Sequence, residues 1–413
     1  MWGIRLFEKS NSAEERRGFR SSRRRTQRKR ERLKLLEMLF DEEISKIDPA
    51  FFIKLRESNL YLEDKSTKIP YCVFSDENYT DKDFHRDYPT IYHLRNELIK
   101  SNKPHDVRLV YLALHHIIKN RGHFLFDYSY KNDKSGDFMP IYNDLKNYFY
   151  DNYEIELDCS DVDEFANTLK DKSKGKTKKN AEIAELFGVS KKYDKVLYSA
   201  LSLLSGSSVK LFDIFDDEAL KDVEKKSVSF SSGFDDNAND FQSYLGERFE
   251  LLEKLKAVYD WAVLADILDG KEYISEAKVA IYEKHKRDLK TLKKYIKIYM
   301  PEKKAEIFNI SSKDNNYVAY SKHIKTSNGT GVLISTCTQE EFCAYLKKTL
   351  GICKDASYEE MFKEIENSTF MPKQVTKDNG VVPMQVNEKE LVAILDNAKE
   401  YLPFLLNKRK IPL

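Results

Sequence analysis

Cysteine, proline and glycine are all scarce in this 413-residue chain, which has only 5 Cys, 10 Pro and 14 Gly. The cysteines show no paired C-x-x-C spacing, so we expect reduced cytosolic thiols without a disulfide framework. Because turn-forming residues are few while Leu, Lys and Glu are plentiful, the composition favours long helices over a strand-and-turn architecture. At this length, two or three domains are expected.

Long apolar runs are also missing. No run approaches the length that a membrane-spanning helix needs. The first residues, MWGIRLFEKSN, lack the long apolar region and the small-residue cleavage site of a secretory signal. We therefore expect a cytoplasmic protein with no membrane partner.

Catalytic motifs are a third absence. The chain contains no phosphate-binding loop, no nucleophile elbow and no cysteine with a plausible histidine partner. His115, His116 and His123 form the only local histidine cluster. Adjacent histidines on a helix point to different faces, and no Cys or acid stands at ligand spacing, so packing or hydrogen bonding is the preferred interpretation over zinc. The residues alone support a binding protein.

What the chain does have is one intense run of positive charge. Residues 16–32, RRGFRSSRRRTQRKRER, contain nine Arg and one Lys, with Glu31 as the only acid. This segment carries about +9, so the other 396 residues must sum to about −7 to give the whole-chain charge of +2. A near-neutral total hides a strongly cationic segment.

This segment is predicted to be helical, because it consists of good helix formers and only Gly18 weakens it. Asn11 or Ser12 is the expected cap. Cations surround the predicted helix and leave no apolar stripe, which argues against an amphipathic helix on a membrane. A solvated tail or a localisation signal is the plain alternative for such a run.

An apolar-periodic continuation favours an ordered binding element instead. The same helix is predicted to continue through Leu33, Leu36, Leu39, Phe40, Ile44 and Ile47. That periodicity would tie the cationic part to a folded domain, and nucleic acid phosphates are then the obvious partner. Aromatic residues are sparse in the run, which argues against recognition by base stacking.

Further helices are predicted along the chain. Pro89 and Thr90 open one, Pro104 opens a buried one that ends near Gly122, and residues 241–300 form two long helices broken at Gly270. Residues 60–87 are expected to be irregular. Residues 171–180 and 227–240 are expected to be mobile loops, and residues 315–336 a small hairpin.

Three helix starts are predicted from a cap with an acid three residues later. These pairs are Thr338 with Glu341, Ser357 with Glu360, and Asn387 with Glu390.

Several strings together resemble one family, the type II CRISPR RNA-guided DNA endonucleases. RGFRSSRRRTQRKRERLKLLEMLF is similar to that family's bridge helix. DPAFF, YPTIYHLR, YLALHHIIKNRGHFL, KDNGVVP and YLPFL occur in the order found in its helical recognition lobe. The resemblance implies a mainly α fold: a multi-domain helical recognition lobe with one long arginine-rich helix and at most a few short strands.

The resemblance also implies a domain order. Residues 1–11 would end a strand of the nuclease core, and 12–48 would be the bridge helix. Residues 49–130 and 266–413 would form the recognition domain, with 131–265 as an inserted helical domain.

The resemblance assigns RNA contacts to positions that match the family's motifs. Val375 stands where many relatives carry Arg, so the contact near it is expected to be weaker. The implied RNA-binding residues are Arg17, Arg20, Arg23, Arg24, Arg25, Arg28, Lys29, Arg30, Arg32, Arg95, His116, Lys119, Arg121, Gly122, Thr376 and Asn379.

Two hypotheses remain open. The first is a fragment of such an endonuclease that binds guide RNA (crRNA with tracrRNA) and, through the RNA–DNA heteroduplex, target DNA. The chain would then be a bacterial, cytoplasmic monomer, neither cutting DNA nor needing a cofactor, although the full-length family uses Mg²⁺. The second is an independent helical RNA-binding adaptor or regulator derived from the same lobe.

Overall fold

The fold is known from a computed structural model. It describes residues 13–58, 60, 64, 72–120, 138–171, 175–231, 233–308, 315–321, 324–325, 332–333, 337–374 and 382–406. Among these residues, no helix is both long enough and apolar enough to span a membrane.

The described chain is mainly α-helical, as predicted. The described residues form two small antiparallel sheets of two-residue strands, in which β1 pairs with β2 and β3 pairs with β4. The elements are α1 Ala13–Ile47, α2 Phe51–Glu57, α3 Asp81–Asp87, α4 Ile91–Lys100, α5 Val107–Lys119, α6 Met139–Tyr153, α7 Val162–Lys170, α8 Lys176–Leu186, α9 Lys195–Ser202, β1 Val209–Lys210, α10 Leu211–Phe215, β2 Ser227–Val228, α11 Phe234–Leu245, α12 Phe249–Leu268, α13 Ile274–Tyr299, α14 Lys304–Phe308, α15 Tyr317–Ser321, β3 Ile324–Lys325, β4 Val332–Leu333, α16 Gln339–Leu350, α17 Glu359–Glu366 and α18 Met384–Ala398.

The chain divides into two compact units. Unit 1 combines Met1–His123 with Val381–Leu413, and unit 2 is Phe124–Gly380. Unit 1 is therefore discontinuous in sequence, since α18 joins it after the whole of unit 2. The five domain ranges given by the family resemblance remain predictions.

Helix α1 is anchored in unit 1 by its second half. Leu36, Phe40 and Ile44, spaced four residues apart, are fully buried. They lie on one side of the helix, and that side packs against α5, where the rings of Phe40 and Tyr111 meet edge to face at 5.6 Å. The predicted apolar continuation is thus confirmed.

Helices α4, α5 and α18 complete the core of unit 1. Asp106 caps α5 by accepting a hydrogen bond from the main-chain N–H of Arg108. The buried guanidinium of Arg108 also pairs with the carboxylates of Asp106 and Asp76. Asn397 of α18 donates to the carbonyl oxygens of Leu98 and Ile99, at 3.1 and 2.6 Å. These bonds satisfy the main chain where α4 ends.

Unit 2 contains two hydrophobic clusters. In the first, Phe138 and Trp261 meet at 4.4 Å between ring centres, within a core built largely from α6, α7 and α12. In the second, Tyr320 and Phe342 stack at the same distance beside α13 and α16. The predicted break between long helices is confirmed, since α12 ends at Leu268 and α13 begins at Ile274.

The two regions predicted as mobile loops contain regular structure. Helix α8 begins at Lys176, inside the lysine run. Lys176 donates a hydrogen bond to the Gly206 carbonyl, and Lys179 donates one to the Leu169 carbonyl. Residues 227–240 contribute β2 and the first half of α11. Contacts from distant parts of the chain order these segments, and local composition did not reveal them.

Other local predictions had mixed outcomes. Helix α3 occupies the end of the range predicted as irregular, with a capping box between Thr80 and Asp83. The expected hairpin is confirmed by β3 and β4, but its first part forms α15.

Of the three predicted caps, Thr338 forms its capping box with Glu341. The other two predicted caps are wrong. Asp355, and not Ser357, caps the turn before α17. Asn387 and Glu390 lie inside α18, which Pro383 opens.

Candidate nucleic-acid interface

The cationic half of α1 is the first component of the candidate site. From Arg16 to Arg32 the helix extends about 24 Å at 1.5 Å per residue. Arg20, Arg24 and Arg28 lie close to one another on one side and are exposed. Arg23, Arg25 and Arg30 are also exposed, while Lys29 and Arg32 are partly buried.

Few of these charges are neutralised inside the protein. Within the described ranges no carboxylate forms an ion pair with Arg20, Arg23, Arg24, Arg28, Lys29 or Arg30. Beyond the cationic part of α1, Glu37 pairs with Arg56, and Glu42 and Glu43 pair with Lys46. An open groove of about 520 Å³ follows one side of the helix, lined by Arg24, Gln27, Arg28, Glu31, Arg32 and Leu35.

The end of α5 lies within electrostatic reach of this helix. Burial, together with the positive charges of Lys119 and Lys29, lowers the pKa of His115 to about 4. Because Lys29 belongs to α1, the structure places the cationic helix beside the basic end of α5. Lys119 is exposed there.

Arg95 is buried, in contrast to the arginines of α1. Its side chain is 1% exposed and forms an ion pair with Glu390, which is 0% exposed. Its Nε atom donates to Oε2 of Glu390 at 2.7 Å, and its Nη2 atom donates to Oδ1 of Asn387 at 2.9 Å. The resemblance implies that Arg95 contacts RNA. In this structure its guanidinium is enclosed by protein groups and is not placed to contact a phosphate.

His116, which is partly exposed, also contacts Arg95. Its Nδ1 atom lies 3.1 Å from Nη1 of Arg95, and its ring meets Tyr92 edge to face at 5.5 Å. Burial and the charge of Arg95 lower the pKa of His116 to about 3. His116 is therefore neutral at pH 7, and any contact it makes with RNA is that of an uncharged group.

Glu390 and Asn387 are the residues that sequence analysis missed. The pair was interpreted as a capping box because an acid follows a cap-type residue by three positions. Both residues lie on the same helical face as Leu391, Ile394 and Ala398, which are buried. The sequence did contain a signal for their position. Pro383 indicates the helix start, and the two polar residues then fall on the apolar stripe of that helix.

Several predicted site residues cannot be placed. Arg17 lies in α1, but its side chain is outside the described part of the structure. Arg121, Gly122, Thr376 and Asn379 are outside the described residues altogether.

Within the ranges that the structure describes, no three His, Cys, Asp or Glu side chains are grouped as metal ligands.

Comparison with protein families gives two matches. Residues 16–48 match the bridge helix of CRISPR-associated endonuclease Cas9, and residues 137–411 match its REC lobe. The bridge-helix match ends one residue after α1 ends at Ile47.

Two curated proteins are similar along the chain. One is the CRISPR-associated endonuclease Cas9 of Listeria innocua serovar 6a, 31% identical over 98% of this chain. Another is the protein of the same name from Streptococcus mutans serotype c, 32% identical over 98% of this chain. In both cases the chain spans 29% of the relative's length.

Proposed function

The chain belongs to the family of CRISPR-associated endonuclease Cas9, and we propose that it is the part of such an enzyme that binds guide RNA and the heteroduplex of guide RNA with target DNA. The comparisons do not favour the second hypothesis of an independent adaptor or regulator. The observation that carries the proposal is the exposed cationic half of α1, fixed to a core by its buried half.

Helix α1 holds its cations on an ordered backbone, which favours binding to phosphates over binding by a free chain. A free chain with ten cations would bind any polyanion and would lose conformational entropy on binding. Helix α1 is already ordered, because Leu36, Phe40 and Ile44 hold its other end. Guanidinium groups at fixed positions can form paired hydrogen bonds with phosphate oxygens. Such contacts recognise the nucleic acid backbone and leave the sequence to base pairing.

The proposal covers partners and activity together. The chain would bind crRNA paired with tracrRNA, contact target DNA through the heteroduplex, and act as a monomer in the bacterial cytoplasm. It would not cut DNA itself, since the regions that match are a bridge helix and a REC lobe. Nuclease activity, and any use of Mg²⁺, would belong to the complete relatives.

A binding experiment with matched variants tests the proposal. Arg20, Arg24 and Arg28, which share one side of α1, would be changed to Gln together. The control removes three exposed cations of unit 2, Lys191, Lys192 and Lys210, in the same way. At 0.15 M salt the α1 variant is expected to bind guide RNA roughly 50- to 150-fold more weakly than the unmodified chain, from the loss of three phosphate contacts.

The control variant is expected to lose less than about threefold, if its three lysines make no phosphate contact. Equal losses in the two variants would contradict the proposal, because they would show that total charge matters and α1 does not. Circular dichroism should show equal helix content in all three proteins.

A further inference from the structure

The network around Arg95 restricts the chemistry of His116. An arginine side chain carries only donors, so its Nη1 group can interact with Nδ1 of His116 only if that nitrogen has no proton. The neutral imidazole must then carry its proton on Nε2. A protonated ring would place an N–H against the guanidinium, which is electrostatically unfavourable.

The guanidinium is held so that it cannot move away from the ring. Glu390 accepts from Nε and Asn387 accepts from Nη2. Tyr92 contacts both groups, with Arg95 over its ring at 5.3 Å and His116 at its edge. Asn387 also donates to the carbonyl oxygen of Asn120, at 3.3 Å, and so fixes the residue where α5 ends.

The other ring nitrogen of His116 is open. The side chain is partly exposed, and no hydrogen bond of the described chain uses Nε2. Lys119, one turn further along α5, is exposed, and Lys29 of α1 acts electrostatically on the neighbouring His115. These cations favour an anionic oxygen near the ring, and a phosphate is the anion that repeats along RNA.

We infer that Arg95 is a positioning residue: with Glu390 and Asn387 it fixes His116 as a neutral ring whose Nε2–H donates a hydrogen bond to a phosphate oxygen of the bound RNA. This inference rests on the proposed function for the identity of the ligand. It gives Arg95 a role in RNA binding without contact to RNA, and it makes His116 a directional donor beside cations that attract less selectively.

The test uses a variant that removes the network without leaving a buried charge. Arg95→Met/Glu390→Met replaces both members of the ion pair by apolar groups, a change that buried pairs often tolerate. Nδ1 of His116 then has no donor beside it. Thermal unfolding and circular dichroism establish that the variant is folded before binding is measured.

The first measurement is nitrogen NMR of the His116 ring, assigned with a His116→Gln variant, and it needs no RNA. The unmodified chain should show a neutral ring with the proton on Nε2 at pH 6. In the double-Met variant the two neutral forms should both be populated, and the ring should take up a proton nearer the ordinary pKa of 6.5. A proton on Nδ1, or a charged ring at pH 6, in the unmodified chain would overturn the inference.

The second measurement is the affinity for guide RNA, crRNA annealed to tracrRNA, at pH 8 and pH 5.5. The double-Met variant should bind roughly tenfold more weakly at pH 8, the loss expected for one hydrogen bond to a charged group. At pH 5.5 its ring becomes cationic, so the deficit should shrink to less than about threefold.

Within the described residues, the titratable or charged groups around the ring are Tyr92 and Arg95 of α4, Glu390 of α18, and His115 and Lys119 of α5. At each pH, the affinity of the double-Met variant for guide RNA is divided by that of the unmodified chain. The effects of other histidines are the same in both proteins and cancel in this ratio. In a His116→Phe background the same two substitutions should give a ratio that does not change with pH.

The outcomes separate the two proposals. A loss of the same size at both pH values would show that the network only supports packing, and would overturn the inference. A chain that shows the expected ring but does not bind guide RNA would overturn the proposed function and the RNA contact of His116.

Discussion

The exposed arginines of α1 and two buried arginines, Arg95 of α4 and Arg108 of α5, carry the same charged group in opposite environments. Arg24 is exposed and lines a groove, whereas Arg95 and Arg108 are almost completely buried and paired with carboxylates. A buried guanidinium must be neutralised within the protein, since an unpaired one would cost several kcal/mol. An exposed guanidinium without an acid keeps its charge available to a partner.

The difference teaches how to interpret an arginine in a protein that binds a polyanion. Charge count alone would treat all three residues as RNA contacts. Neighbouring acids separate them: Glu390 of α18 pairs with Arg95 of α4, while Asp76 and Asp106 pair with Arg108 at the start of α5.

The largest effect is expected from breaking the buried pair on one side. Glu390→Gln leaves the cation of Arg95 buried without its carboxylate and should lower the free energy of unfolding by about 3–5 kcal/mol. Urea unfolding followed by circular dichroism measures this change. Glu388→Gln, the same substitution at an exposed position of the same helix, should change it by less than about 0.5 kcal/mol. A similar small effect at both positions would contradict the distinction drawn here.

A smaller effect is expected from pH. His115 and His116 have pKa values of about 4 and about 3 when folded, below the ordinary value of 6.5. The unfolded chain then binds more protons than the folded chain below pH 6.5, so stability falls as pH falls through that value. Each histidine contributes a slope of up to about 1.4 kcal/mol per pH unit, reached well below pH 6.5.

Unfolding curves at pH 7.5, 6.5 and 5.5 measure this slope. His116→Gln should reduce the slope, while His85→Gln, at an exposed position, should leave it nearly unchanged. An identical slope in all three proteins would show that the buried histidines do not cause it.

The smallest effect is expected at an exposed arginine that does have an acid partner. Arg56 pairs with Glu37 of α1 at 2.7 Å, but its side chain is 60% exposed. Arg56→Ala should therefore lower the free energy of unfolding by less than about 1 kcal/mol, as measured by urea unfolding. A loss close to that of Glu390→Gln would mean that burial does not decide the strength of these pairs.

The sequence predicted what depends on local pattern. The period of Leu36, Phe40 and Ile44 indicated the anchored half of α1. The sequence did not predict that the lysine run is helical from Lys176, nor that Arg95 pairs with Glu390. Both depend on residues far apart in the chain, and Arg95 and Glu390 are 295 positions apart.

In the candidate site, too, the features set by local sequence pattern could be predicted, and those set by residues far apart in the chain could not. Exposure of the arginines in α1 follows from a helix without an apolar stripe, so residues 16–32 were identified from sequence. The neutral state of His116 was not, because it depends on a guanidinium supplied by α4 and held by α18. Sequence reasoning thus identified the charge, while the structure shows which charges the protein uses internally.

The central claim is that the exposed arginines of α1 bind phosphates. The most direct test is the salt dependence of guide RNA binding, compared between the unmodified chain and the variant in which Arg20, Arg24 and Arg28 are Gln. The slope of log affinity against log salt should become less steep by about 2–3, since each phosphate contact contributes about 0.7–0.9. An unchanged slope would contradict the claim and would place the phosphate contacts elsewhere in the chain.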